Sequence, residues 1–93
     1  MKHATLSTLE GLTDLLVQIR ARGGIKEKRI GIFYRKSKAF LHFHEDPAGV
    51  FADLNVGTDF ERFPLNTSRE RQALLAAIDR ALNLGLCETF NCG

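Results

Sequence analysis

Cysteine, proline and long apolar runs are all scarce in this chain, and each scarcity removes a class of protein. Cys87 and Cys92 are the only cysteines, too few for a disulfide scaffold or for a four-ligand structural zinc site. They read as two reduced thiols near the C-terminus, with a regulatory disulfide as the alternative. Two prolines and no repeat or low-complexity tract argue against an extended or disordered chain. No apolar run approaches the roughly 20 residues of a membrane helix. Met1-Lys2-His3-Ala4-Thr5 leads into an amphipathic pattern without a signal-peptide core, so a soluble cytoplasmic protein with no membrane partner is expected. Motifs of common chemistries are missing too: no G-x-S-x-G elbow, no GK[ST] phosphate loop, and no G-x-G-x-x-G after a strand. Ser37 and Cys87 have no evident base nearby, so no nucleophile is assigned.

What is present suits one packed core. The chain has 93 residues, 44% of them hydrophobic and 26% charged, which fits a single α+β domain with room for no second core. Its net charge is only +2, but residues 20 to 38 carry Arg20, Arg22, Lys26, Lys28, Arg29, Arg35, Lys36 and Lys38 against Glu27 alone, a local +7. Residues 39 to 61 carry five acids and no lysine or arginine. One basic edge and one acidic region follow.

Ser7-Thr8-Leu9-Glu10 matches a capping box, so a first helix is expected from there, with Leu9, Leu12, Leu16 and Ile19 as its apolar stripe. Gly23-Gly24 is the expected stop. Gly23-Gly24-Ile25-Lys26 reads as helix termination rather than a phosphate loop, because a helix C-terminus repels anions. Thr67-Ser68-Arg69-Glu70 is a second capping box before Leu74, Leu75, Ile78 and Leu82, with Asn83-Leu84-Gly85 as the expected end and 85–93 as a loosely packed tail.

Between the helices the apolar period falls to two, the mark of strands. Four are expected, near 29–35, 38–45, 49–55 and 59–65, as an antiparallel meander covered on one face by both helices. Asp46-Pro47-Ala48-Gly49 is a strong turn signal, Arg35-Lys36-Ser37-Lys38 a weaker one, and Pro64 marks an edge strand. Two-residue loops in both hairpins put Ile30, Ile32, Tyr34, Ala39, Leu41, Phe43, Val50, Ala52 and Leu54 on the helix-covered face. The other face then holds Phe33 opposite Phe40, His42 opposite Asp53, and His44 opposite Phe51.

Three phenylalanines on an uncovered face need a cover. The first expectation is therefore a non-enzymatic module that forms a homodimer, or binds a protein partner, through Phe33, Phe40 and Phe51, with His42, His44 and Asp53 among them. Folding of Leu84 to Phe90 over that face is an alternative cover. A His42–Asp53 hydrogen bond is expected to raise the His42 pKa. The second expectation is a nucleic-acid or polyanion binder using Arg29, Arg35, Lys36 and Lys38. A metal-dependent enzyme built on His42, His44 and Asp53 is the third, although no metal or other cofactor is assigned.

The run from Gly31 to Leu54, with its Ala-Phe-Leu-His-Phe-His-Glu-Asp-Pro-Ala-Gly hairpin, resembles small uncharacterised bacterial proteins, and that resemblance implies no activity. The order of helix, strands and helix is loosely similar to MmcQ/YjbR-like domains. Their longer C-terminal part has no counterpart here, so their DNA-binding role is not carried over.

Overall fold

The computed structural model describes residues 2–57 and 59–90, with side chains at 3–57 and 59–82. The elements run β1 (Lys2–His3), α1 (Leu6–Glu10), α2 (Thr13–Arg20), β2 (Lys26–Arg29), β3 (Ile32–Arg35), β4 (Lys38–Asp46), β5 (Gly49–Asn55), β6 (Phe60–Pro64) and α3 (Ser68–Phe90). The class is α+β, and the sheet is antiparallel throughout. Five strands lie in the order β2-β3-β4-β5-β6, and β1 joins β4 beyond the end of β3. The expected four strands are thus corrected to five plus β1. The stretch read as one strand from 29 to 35 is a hairpin, reversed at Ile30-Gly31, whose glycine has φ +80. Positive φ at the second central residue is what a type II turn requires. Pro64 does lie on an edge strand, where its missing N–H leaves no ladder bond unmade.

The helices differ from expectation at their ends. Thr5, not Ser7, caps α1, its side chain accepting from the Thr8 N–H. A break at Gly11-Leu12 separates α1 from α2, and α2 ends at Arg20 with Ala21 as its cap, before Gly23-Gly24. The second capping box forms as expected, with Glu70 N–H donating to Thr67 Oγ1 at 3.1 Å and Thr67 N–H to Glu70 Oε1 at 3.0 Å. Helix α3 then runs through Asn83 and Gly85 to Phe90, because one interior glycine costs only about 1 kcal/mol against alanine. Side chains of the expected tail, including Cys87, and all of Cys92 lie outside the described residues, as does the suggested cover by Leu84 to Phe90.

One core joins the three helices to one sheet face. Leu9, Leu12, Leu15, Leu16 and Ile19 meet Leu74, Leu75, Ala77 and Ile78 over Phe33, Leu41, Phe43, Ala52 and Leu54. The β4–β5 hairpin has the expected register: Leu41 faces Leu54, His42 faces Asp53, Phe43 faces Ala52, and His44 faces Phe51. The β3–β4 hairpin keeps it only for Arg35–Lys38 and Tyr34–Ala39. A bulge then inserts Phe40, and Phe33 pairs with Leu41 instead. A bulge sets two residues against one and shifts the rest of the strand by one place. Phe33 and Phe40 therefore enter the core, 1% and 3% exposed, and are corrected as outer-face anchors. Ile32 and Tyr34 take the other face, and Ile30 is exposed in the turn.

Candidate functional site

The face away from the helices carries two rows of side chains, each set by strand register. Because alternate residues of a strand share a face, His42 and His44 of β4 point the same way. Along one row Ile32, His42, Asp53 and Arg62 are successive neighbours across β3, β4, β5 and β6. Along the next, His3, His44, Phe51 and Pro64 are neighbours across β1, β4, β5 and β6. The Ala4 N–H donates to the Phe43 carbonyl at 3.0 Å, and the Thr5 N–H donates to Glu45 Oε1 at 2.5 Å, so the segment bearing His3 is tied to β4.

The three imidazoles converge. His42 Nδ1 and His44 Nε2 are 2.8 Å apart, a distance at which one of the two nitrogens donates and the other accepts. His3 stacks on His44 with ring centroids 5.0 Å apart and meets the edge of His42 at 5.9 Å. One ligating nitrogen from each ring lies within 4.8 Å of the others. His44 Nε2 also lies 3.1 Å from Asp53 Oδ2, while His44 Nδ1 is buried without a hydrogen-bond partner. Arg62 donates to both oxygens of Asp53, at 2.8 and 3.0 Å. Phe60 borders the group with its ring 5.1 Å from His42.

Electrostatics sort these groups. Arg62, by its hydrogen bonds and its charge, holds the Asp53 carboxyl below the usual carboxylate range, so it is ionised at neutral pH. Burial, with repulsion from His44, pushes His42 below its ordinary value despite the Asp53 charge. The expected rise is thus corrected, because desolvation outweighs the carboxylate. The expected His42–Asp53 hydrogen bond is replaced by contacts from Asp53 to His44 and Arg62. A neutral His42 presents a lone pair, the form in which imidazole ligates metals.

Among the expected site residues, His42, His44, Phe51 and Asp53 share this face, and Phe33 and Phe40 do not. His3, Arg62 and Phe60 complete the group and were not expected. Arg62 is readable only as the cross-strand neighbour of Asp53, and His3 has no sequence signal beyond being a third histidine. Of the expected polyanion set, Arg35 and Lys38 pair across the β3–β4 hairpin with Lys36 in its turn, Arg29 ends β2, and Arg35 Nη1 donates to the Ala81 carbonyl at 3.2 Å.

Three imidazole donors suit zinc, copper or nickel. In a four-coordinate ion they leave one position for water or for an atom of a bound molecule. Comparison with protein families, curated proteins and solved structures finds no match for this chain. Among the described residues no helix is long and apolar enough to cross a membrane.

Proposed function

We propose that this protein binds a divalent transition-metal ion on the outer face of its sheet, through His3, His42 and His44. The observation that carries the reading is that ligating nitrogens of all three lie within 4.8 Å of one another. Nitrogens bound tetrahedrally at about 2.05 Å stand about 3.3 Å apart, so small side-chain rotations close the group around one ion. Asp53 supplies the nearby negative charge that a divalent cation favours, and Arg62 fixes that carboxylate in place. Ligand identity points to zinc, nickel or copper rather than to magnesium or calcium, which take oxygen donors.

The self-associating reading keeps one supporting observation, Phe60, which is 47% exposed at the rim of the group. A second copy seated there would bring a residue to the open coordination position, making dimer formation dependent on the metal.

Calorimetric titration of the metal-stripped full chain with zinc and with nickel tests the reading. One ion per chain is expected, abolished by His42→Ala or His44→Ala, weakened by His3→Ala, and retained when Cys87 and Cys92 are both changed to serine. Equal binding by the wild type and the His42→Ala/His44→Ala double variant would remove the site. Light scattering with and without zinc reads the dimer separately.

A further inference from the structure

We propose that a basic cleft beside the β3–β4 turn is a second binding site, for a ligand of nucleotide size that carries a phosphate. It is independent of the histidine group. Gly24 and Ile25 of the α2–β2 connection, Lys26 and Lys28 of β2, Tyr34 of β3, and the turn residues Lys36 and Ser37 line an open cleft of about 340 Å³. That volume falls at the small end of ligand pockets, room for more than a bare phosphate ion.

The charge of the cleft is uncompensated. Three lysines line it and no acidic residue does. Glu27 is the one acid between residues 20 and 38, and it sits between Lys26 and Lys28 in sequence, yet it is committed elsewhere. Its carboxylate takes the Arg20 guanidinium at 2.6 and 3.0 Å and the Gly31 N–H at 2.9 Å. Among the described residues Lys26, Lys28 and Lys36 join no ion pair. Like charges gathered without counter-ions favour the arrival of an anion, and phosphate is the common one that accepts from several ammonium groups at once.

Two features give the cleft a shape rather than a mere charge. The Lys28 ammonium lies 4.6 Å from the Tyr34 ring centroid, which holds both side chains against each other. Lys36 and Ser37 both have positive φ, 52° and 69°, as a type I′ hairpin turn requires, so their side chains leave a turn of defined geometry. Every side-chain polar group that lines the cleft is a hydrogen-bond donor, and only the Tyr34 and Ser37 hydroxyls also accept. The Gly24-Ile25-Lys26 segment is not disqualified by a helix dipole, because α2 has already ended at Arg20, and the effect fades within a turn. Two sources present this chemistry: a free nucleotide, and a nucleotide unit of a single strand.

Amide chemical-shift titrations of the full chain with inorganic phosphate, adenosine monophosphate and a short oligothymidylate test the site. Shifts confined to Gly24–Lys28 and Tyr34–Ser37 are expected. Affinity should fall by about tenfold between roughly 50 and 300 mM salt, and by at least about tenfold in Lys26→Gln/Lys28→Gln. Arg69→Gln/Arg80→Gln, which removes the same charge outside the cleft, should bind as the wild type does. Tighter binding of the monophosphate supports a free nucleotide, and tighter binding of the oligomer supports a strand. Inorganic phosphate binding as tightly as both would overturn the nucleotide assignment. The site itself is overturned by absence of shifts with all three, or by equal losses in the two double variants.

Discussion

Truncating Phe33 separates the observed β3–β4 register from one shifted by a single residue. The ring is 1% exposed and packs in the core with Leu41 and Leu54. Removing a buried phenyl ring deletes its transfer free energy and leaves a cavity, together about 3–5 kcal/mol. A domain of this size has roughly 5–14 kcal/mol in total, so Phe33→Ala should forfeit at least about a fifth of it. With a urea slope of about 1–1.5 kcal/mol per molar, the midpoint falls by about 2–5 M. Phe60→Ala is the internal comparison, since that ring is 47% exposed and its loss should cost at most about 1 kcal/mol. Urea unfolding followed by far-ultraviolet circular dichroism reads both, with Phe33→Leu as a milder step should the alanine variant not fold. Equal midpoints for Phe33→Ala and Phe60→Ala would refute the bulge at Phe40 and return Phe33 to the outer face.

Gly31→Ala should cost about 2 kcal/mol by the same assay, from left-handed strain of about 1–2 kcal/mol at φ +80 and from a new Cβ 3.0 Å from both Leu9 methyl carbons; Gly23→Ala, where nothing lies within 4 Å, should change little. Glu27 has its pKa lowered by the Arg20 hydrogen bonds and the Gly31 N–H, so its folded value lies below the unfolded one. Its stabilisation is present above the unfolded value and lost as pH falls through the folded one. Between about pH 5 and 3 the wild type should therefore lose more stability than Glu27→Gln, by about 1 kcal/mol or less because Arg20 is largely solvated; equal acid sensitivity would count against the pair. Arg62→Ala removes both donors from Asp53 and should weaken zinc binding in calorimetry, because the carboxylate is no longer held beside the imidazoles; unchanged or tighter binding would show that the guanidinium charge only opposes the cation.

The β4–β5 hairpin was legible because its turn carries its own chemistry. Asp46 Oδ1 accepts from the Ala48 N–H at 2.7 Å, Pro47 presets φ, and Gly49 closes the loop at φ +137, so a two-residue connection fixes every pair behind it. The β3–β4 hairpin has the expected turn and first two pairs, and the departure begins at Phe40. An alternating Ile30-x-Ile32-x-Tyr34 pattern hid the reversal at Gly31, although a glycine inside an apparent strand is itself a warning of a turn or bulge. Adjacent Phe40 and Leu41, both buried, are the other trace of the bulge, since a regular strand sends neighbours to opposite faces. Strand β2 reads Lys-Glu-Lys-Arg and has no apolar alternation to detect, because it is an edge strand whose side chains are mostly exposed.

Half of the candidate site follows from the legible hairpin. His42, His44 and Asp53 share a face as soon as the β4–β5 register is known. His3 does not follow, because β1 is two residues long and too short for any periodicity to show. Its place depends on the Ala4 bond to the Phe43 carbonyl and on the Thr5 bond to Glu45, a residue 40 positions away. Ala4 packs against the core, but that core lies on the opposite face of the sheet from the imidazoles. Hydrophobic burial therefore accounts for Phe43 and Leu41 but not for three imidazoles gathered behind them, one with a buried nitrogen left unpartnered. Such a nitrogen costs about 1–3 kcal/mol, and under the metal reading proposed above a cation ligated at that atom would offset it.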